Sequence, residues 1–83
     1  SSTKSTHGHL MGASGAIEAV ITILSMKNGV VPPTANLKDV DPLCEGVKHI
    51  KVGDQNKVKL KAAISNSFAF GGSNAVLVFK SAQ

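Results

Sequence analysis

Residues 2–15 read Ser-Thr-Lys-Ser-Thr-His-Gly-His-Leu-Met-Gly-Ala-Ser-Gly and set Lys4 and His9 five positions apart, just ahead of a long apolar run. Glycines at 8, 12 and 15 punctuate the stretch. Such density at a helix entrance lets backbone from elsewhere approach closely. The positive end of a helix dipole disfavours an imidazolium, so a histidine placed there is left as a neutral ring able to donate one hydrogen bond. That is the form wanted for steadying a developing oxyanion. Glu18 is the one charge between Leu10 and Met26, flanked by Ile17 and Ala19. A buried carboxylate must be paired, hold a metal or take up a proton, and Lys4 is the nearest cation of the opening run.

The elements that must carry these groups follow from the pattern. Helix signals run from about Gly12 to Asn28, with Lys27 near the end and Asn28-Gly29 as the stop. Val30-Val31-Pro32-Pro33 cannot continue a helix. Ser1–Ser5 reads as the end of a strand, 34–46 as a long surface connection, and 47–52 as a short edge strand. Lys57, Lys59 and Lys61 alternate with Val58, Leu60, Ala62 and Ile64, which predicts a strand over about 58–66 with a wet face at its start. Phe68–Gly72 predicts a glycine-rich loop. Asn74–Lys80 carries Ala75, Val76, Leu77, Val78 and Phe79, a strand expected to be buried on both faces. The two strands should pair antiparallel, giving an α/β chain.

The bulk numbers restrict the class. Eighty-three residues make at most one small domain, and a chain of that size buries only about 60–65% of its unfolded surface. A helix apolar on nearly every face belongs inside a larger body or a membrane; Gly12, Gly15 and Glu18 argue against a membrane span. The helix therefore needs covering partners. The formal charge of +4 comes largely from Lys48, Lys51, Lys57, Lys59 and Lys61, with no Arg and no aromatic among them. Base stacking has no platform there, so a solvated face is favoured over nucleic-acid binding. Cys44 is the single cysteine; it cannot form an internal disulfide, which mildly favours a reducing compartment. His7 and His9 lack the further His or Cys that a metal site needs.

Three stretches in order carry a resemblance. Lys-Ser-x-x-Gly-His at 4–9 is followed by x-x-Gly-Ala-x-Gly-Ala at 10–16; Pro-Pro-Thr-x-Asn stands at 32–36 and Asp-Pro at 41–42; Ser-Asn-Ser-Phe-Ala-Phe-Gly-Gly-Ser-Asn-Ala stands at 65–75. Together they resemble the carboxyl-terminal segment of β-ketoacyl-acyl-carrier-protein synthases, and the long-chain (type II) branch most. The resemblance implies that 1–83 is the carboxyl-terminal part of a thiolase-like layered α/β sandwich rather than a complete domain. It implies a condensing acyltransferase that joins an acyl thioester to malonyl-acyl-carrier protein by decarboxylative Claisen condensation, in fatty-acid or polyketide synthesis.

What the resemblance implies for single residues is specific. His9 would serve decarboxylation and condensation, and Lys4 would contact Glu18 and order the site. The backbone N–H of Phe70 would complete an oxyanion hole while its ring gates the acyl pocket. Gly71 and Gly72 would supply the backbone angles of that loop. Glu18, Ser65 and Asn66 would help hold a structural monovalent or divalent cation, with no cofactor required. Ala69 stands where the family has Gly; a positive φ there would cost about 1 kcal/mol. Phe68 is expected in core packing, His7 as non-catalytic, and Cys44 not as the nucleophile, which the family carries elsewhere. Partners implied are the remainder of the synthase chain, an acyl carrier protein and a second copy in a homodimer, with neither nucleic acid nor a membrane span. The location implied is cytoplasmic, or plastid or mitochondrial in a eukaryote. Two alternatives remain: a non-catalytic partner subunit of a condensing heterodimer, and a stand-alone basic binding module.

Overall fold

The computed structural model describes residues 1–82. The opening residues make one helical turn, α1 (Lys4–His7), where the sequence predicts the end of a strand. Gly8 ends it at φ +80°, its N–H donating to Lys4 O at 2.7 Å. The apolar run then begins with a 3₁₀ turn, Met11–Ala13, and continues as α2 (Ser14–Asn28). The stop falls at Gly29, at φ +63° and ψ +38°, where its N–H donates to Ser25 O. A left-handed residue at this position is where glycine is favoured. Gly29 has a second duty. Its carbonyl accepts from Val58 N–H at 2.9 Å, and a Cβ built on it would lie 3.1 Å from Val58 O.

Beyond α2 the chain is loop and turn, broken only by a short 3₁₀ helix at Pro42–Cys44, until a hairpin. Strand β1 (Ala62–Phe68) pairs antiparallel with β2 (Asn74–Lys80), in a register running from Ala62 opposite Lys80 to Phe68 opposite Asn74. The helix and the antiparallel pair make the arrangement mixed α/β. β1 starts later than the lysine alternation predicts because β2 ends at Lys80, opposite Ala62. Upstream, Ser81 N–H still reaches Lys61 O, and Lys57 is bridged to Val30 instead. The edge strand expected over 47–52 does not form. Lys51 makes one bridge to Thr34, and a turn follows at once, with Asp54 accepting from Lys51 N–H and donating its own N–H to Lys51 O.

The face of β1 toward α2 also differs from expectation. Ala63, Ser65 and Ser67 are the covered positions, while Ile64 is exposed. Small side chains allow the close packing: a Cβ on Gly15 would lie 3.9 Å from Ser67 Oγ. The opposite face, with Ile64, Phe68, Val76 and Val78, is open to solvent. β2 is therefore not buried on both faces, and Phe68, expected in the core, is 75% exposed. Helix α2 likewise leaves Val20, Ile23 and Leu24 exposed. The physical reason is the same throughout: the described residues supply no layer to cover these surfaces. Ile50, at 7% exposure, is the one buried hydrophobic residue among them. Among the described residues no helix is long and apolar enough to cross a membrane.

Candidate active site

His9 sits between α1 and the 3₁₀ turn, and its ring is held from one side. Met11 N–H donates to His9 Nδ1 at 2.9 Å, and Ser14 Oγ lies 3.1 Å from the same nitrogen. A backbone N–H can only donate, so Nδ1 is the acceptor and a neutral ring carries its proton on Nε2. Nε2 has no hydrogen-bond partner among the described residues, and His9 is exposed. The donor is thus presented outward. The turn that aims Met11 N–H at the ring puts Met11 at φ +52°, a region that non-glycine residues rarely visit.

Lys4 and Glu18 meet across fourteen positions of sequence. The Lys4 ammonium donates to Glu18 Oε1, joining α1 to the second turn of α2. The carboxylate is the more covered partner, with 18% of its side chain exposed against 39% for the lysine. Lys4, Glu18, Ser65 and Asn66 all line one cavity of about 430 Å³ between the opening residues, α2 and β1. His9 and Phe70 are not on its wall. The cation set of Glu18, Ser65 and Asn66 offers a single carboxylate, and the lysine already neutralises it. That donor set is poor in charge for a hard cation, and no chemical step is assigned through one.

Phe70 lies at the hairpin tip. Ala69 N–H donates to Ser73 O at 2.8 Å and Gly72 N–H to Ala69 O at 3.3 Å, and neither bond uses the Phe70 N–H. Gly71 and Gly72 take φ of +84° and +86°, the left-handed values for which glycine suits the turn. Ala69 is extended at φ −122°, so no strain attaches to its Cβ. The Phe70 ring is 98% exposed. The tip follows three residues after Ser67, which lies against Gly15 at the start of α2.

The other reactive types are occupied or remote. His7 Nδ1–H donates to Gly8 O at 2.7 Å, so its Nε2 accepts from the Thr3 hydroxyl at 2.8 Å. Cys44 is an exposed free thiol. The sequence reading missed Ser14 and Met11 as neighbours of His9. The available signal was a serine at a helix start, a residue type that bonds local backbone readily.

Comparison with known proteins bears on this arrangement. Residues 1–38 match the family described as β-ketoacyl synthase, C-terminal domain. Over 80 residues the chain is 49% identical to nodulation protein E of Rhizobium meliloti, covering 96% of this chain and 20% of that protein. It is 51% identical over 81 residues to 3-oxoacyl-[acyl-carrier-protein] synthase 2 of Vibrio harveyi, covering 96% and 19%. The mitochondrial 3-oxoacyl-[acyl-carrier-protein] synthase of Arabidopsis thaliana is 46% identical over 81 residues, covering 98% and 17%. The chain thus spans about a fifth of the length of these curated relatives. The histidine turn, the lysine–glutamate pair and the Phe-Gly-Gly tip lie within segments so matched, and the chain is similar to β-ketoacyl synthases over nearly all of its length, with the family's C-terminal domain matched over residues 1–38.

Proposed function

We propose that this chain supplies one side of the active site of a condensing enzyme. The enzyme would transfer an acyl group from a protein thiol to the two-carbon unit of malonyl-acyl-carrier protein. The observation that carries the reading is the His9 ring, anchored at Nδ1 with Nε2–H directed outward. Cleavage of the malonyl carboxylate releases carbon dioxide and leaves its electron pair as an enolate on the thioester. The Nε2–H donates to that enolate oxygen. The α-carbon then attacks the acyl thioester carbonyl, a carbon–carbon bond forms, and the carbon–sulfur bond breaks with the thiolate leaving. The 3-oxoacyl product stays on the carrier protein, in keeping with the names of the synthase relatives.

On this reading the Phe70 N–H serves the acyl carbonyl oxygen, Gly71 and Gly72 shape its turn, and the Lys4–Glu18 pair fixes α1 against α2. The acyl-bearing thiol comes from outside this segment, since the histidine beside exposed Cys44, His49, has its Nε2–H committed to the Cys44 carbonyl at 2.8 Å. The uncovered faces of α2 and the hairpin are then interior surfaces of a thiolase-type layered sandwich, assembled with the rest of the synthase chain and working as a homodimer. The test is malonyl decarboxylation by the full-length protein carrying this segment. His9→Ala is expected to lower the rate by roughly 10²–10³-fold, the usual effect of deleting one oxyanion donor. Undiminished decarboxylation in that variant would overturn the role.

A further inference from the structure

We propose that Ser14 is a positioning residue for His9, tying the imidazole to the helix that the active site is built on. The inference rests on the reading of His9 as the oxyanion donor. Ser14 is the first residue of α2 and is 7% exposed. Its Oγ accepts from Leu10 N–H at 2.9 Å. The same oxygen lies 3.1 Å from His9 Nδ1. The direction of this second bond is fixed by its neighbours. Met11 N–H already points at Nδ1, so Nδ1 carries no proton and the Ser14 hydroxyl must donate to it.

The two donors to Nδ1 differ in what they fasten. Met11 is two residues from His9 and moves with the same turn. Ser14 belongs to α2, and it holds both the turn, through Leu10 N–H, and the ring, through Nδ1. With Met11 alone the ring keeps its tautomer but loses its tie to the helix. An enolate donor must sit where the charge develops, and small displacements there are expensive in rate. A buried hydroxyl that satisfies one backbone donor and one ring nitrogen is therefore a support for aim rather than a reacting group.

The experiment uses the full-length protein with ¹⁵N-labelled histidine, as wild type and as Ser14→Ala. Alanine is a good helix former and adds no bulk at this buried position. The His9 Nδ1 resonance is expected to move downfield in the variant, because an acceptor nitrogen has lost a donor, while the Nε2–H tautomer persists through Met11. The kcat for malonyl decarboxylation is expected to fall about 3- to 10-fold, the scale of one neutral hydrogen bond. KM should be unchanged, since Ser14 does not touch substrate. An Nδ1 resonance that does not move, or a full kcat, overturns the assignment. A wild-type protein that fails to decarboxylate malonyl thioester instead removes the enzymatic reading, and the resonance still decides whether Ser14 holds the ring.

Discussion

Two basic side chains in the opening run are handled in opposite ways, and the difference lies in which atoms each has left over. The ammonium of Lys4 is committed to Glu18, so it is a structural tie between α1 and α2. A pair of this kind, partly exposed, adds little to stability; its effect is to fix where the two elements sit. His9 is committed through one nitrogen only, and the other is available. The arrangement holds Met11 in a strained state, at φ +52° with its side chain 71% exposed. A left-handed residue with a Cβ costs on the order of 1 kcal/mol, and little packing is at stake in an exposed side chain. Met11→Gly is therefore expected to raise stability by about 0.5–1 kcal/mol, read from the denaturation midpoint of the full-length protein. A loss of stability there would mean that Met11 makes contacts outside this segment that outweigh the strain.

At the scale of elements the helix stop is the place where two requirements meet. Gly29 must be left-handed to end α2, and it must leave room for the extended chain that crosses it at Val58. Gly29→Ala violates both. It is expected to destabilise the protein by about 1–2 kcal/mol from the backbone angle alone, with the 3.1 Å approach to Val58 O adding to it. Chemical denaturation measures this, and a neutral result would show that the crossing relaxes freely. The stop was legible because Asn-Gly after an apolar run has a strong local meaning. The helix was legible as a long, mostly apolar stretch with a clear stop and β2 as an unbroken apolar run, and the antiparallel pairing followed from the short loop between strands. What failed was the phase of β1. Alternation against the lysines marks Ile64 as inward, yet Ala63, Ser65 and Ser67 face the helix. Their small size lets α2 approach at Gly15, a packing demand set by the partner element and invisible in a single strand's pattern. The feared strain at Ala69 was likewise a question of backbone angle, which residue type alone could not answer. At the candidate site, the Lys4–Glu18 contact followed from the resemblance. The Met11 and Ser14 bonds to His9 depend on a tight turn with an unusual angle, which spacing does not announce.

At the scale of the whole molecule, the described residues leave too much apolar surface open to stand as a self-sufficient body. Ile64, Phe68, Val76 and Val78 form one continuous sheet face, with Val78 71% exposed. Contiguous apolar surface on a soluble body marks an interaction face. The relatives matched are about five times the length of this chain, and on the function proposed above the corresponding residues would form the cover. If the rest of the synthase packs there, a charge placed on that face has to be desolvated without a partner. Val78→Lys in the full-length protein is then expected to be destabilising by at least about 2–3 kcal/mol and to reduce soluble yield, because an unpaired buried ammonium is among the most costly single changes. The matching control is Lys80→Ala at the end of the same strand, an exposed position whose change should fall within about 0.5 kcal/mol of wild type. If Val78→Lys proves as mild as the control, the face is open to solvent in the whole protein. The covering layer would then have to lie against α2 alone, where Val20, Ile23 and Leu24 make the remaining apolar surface.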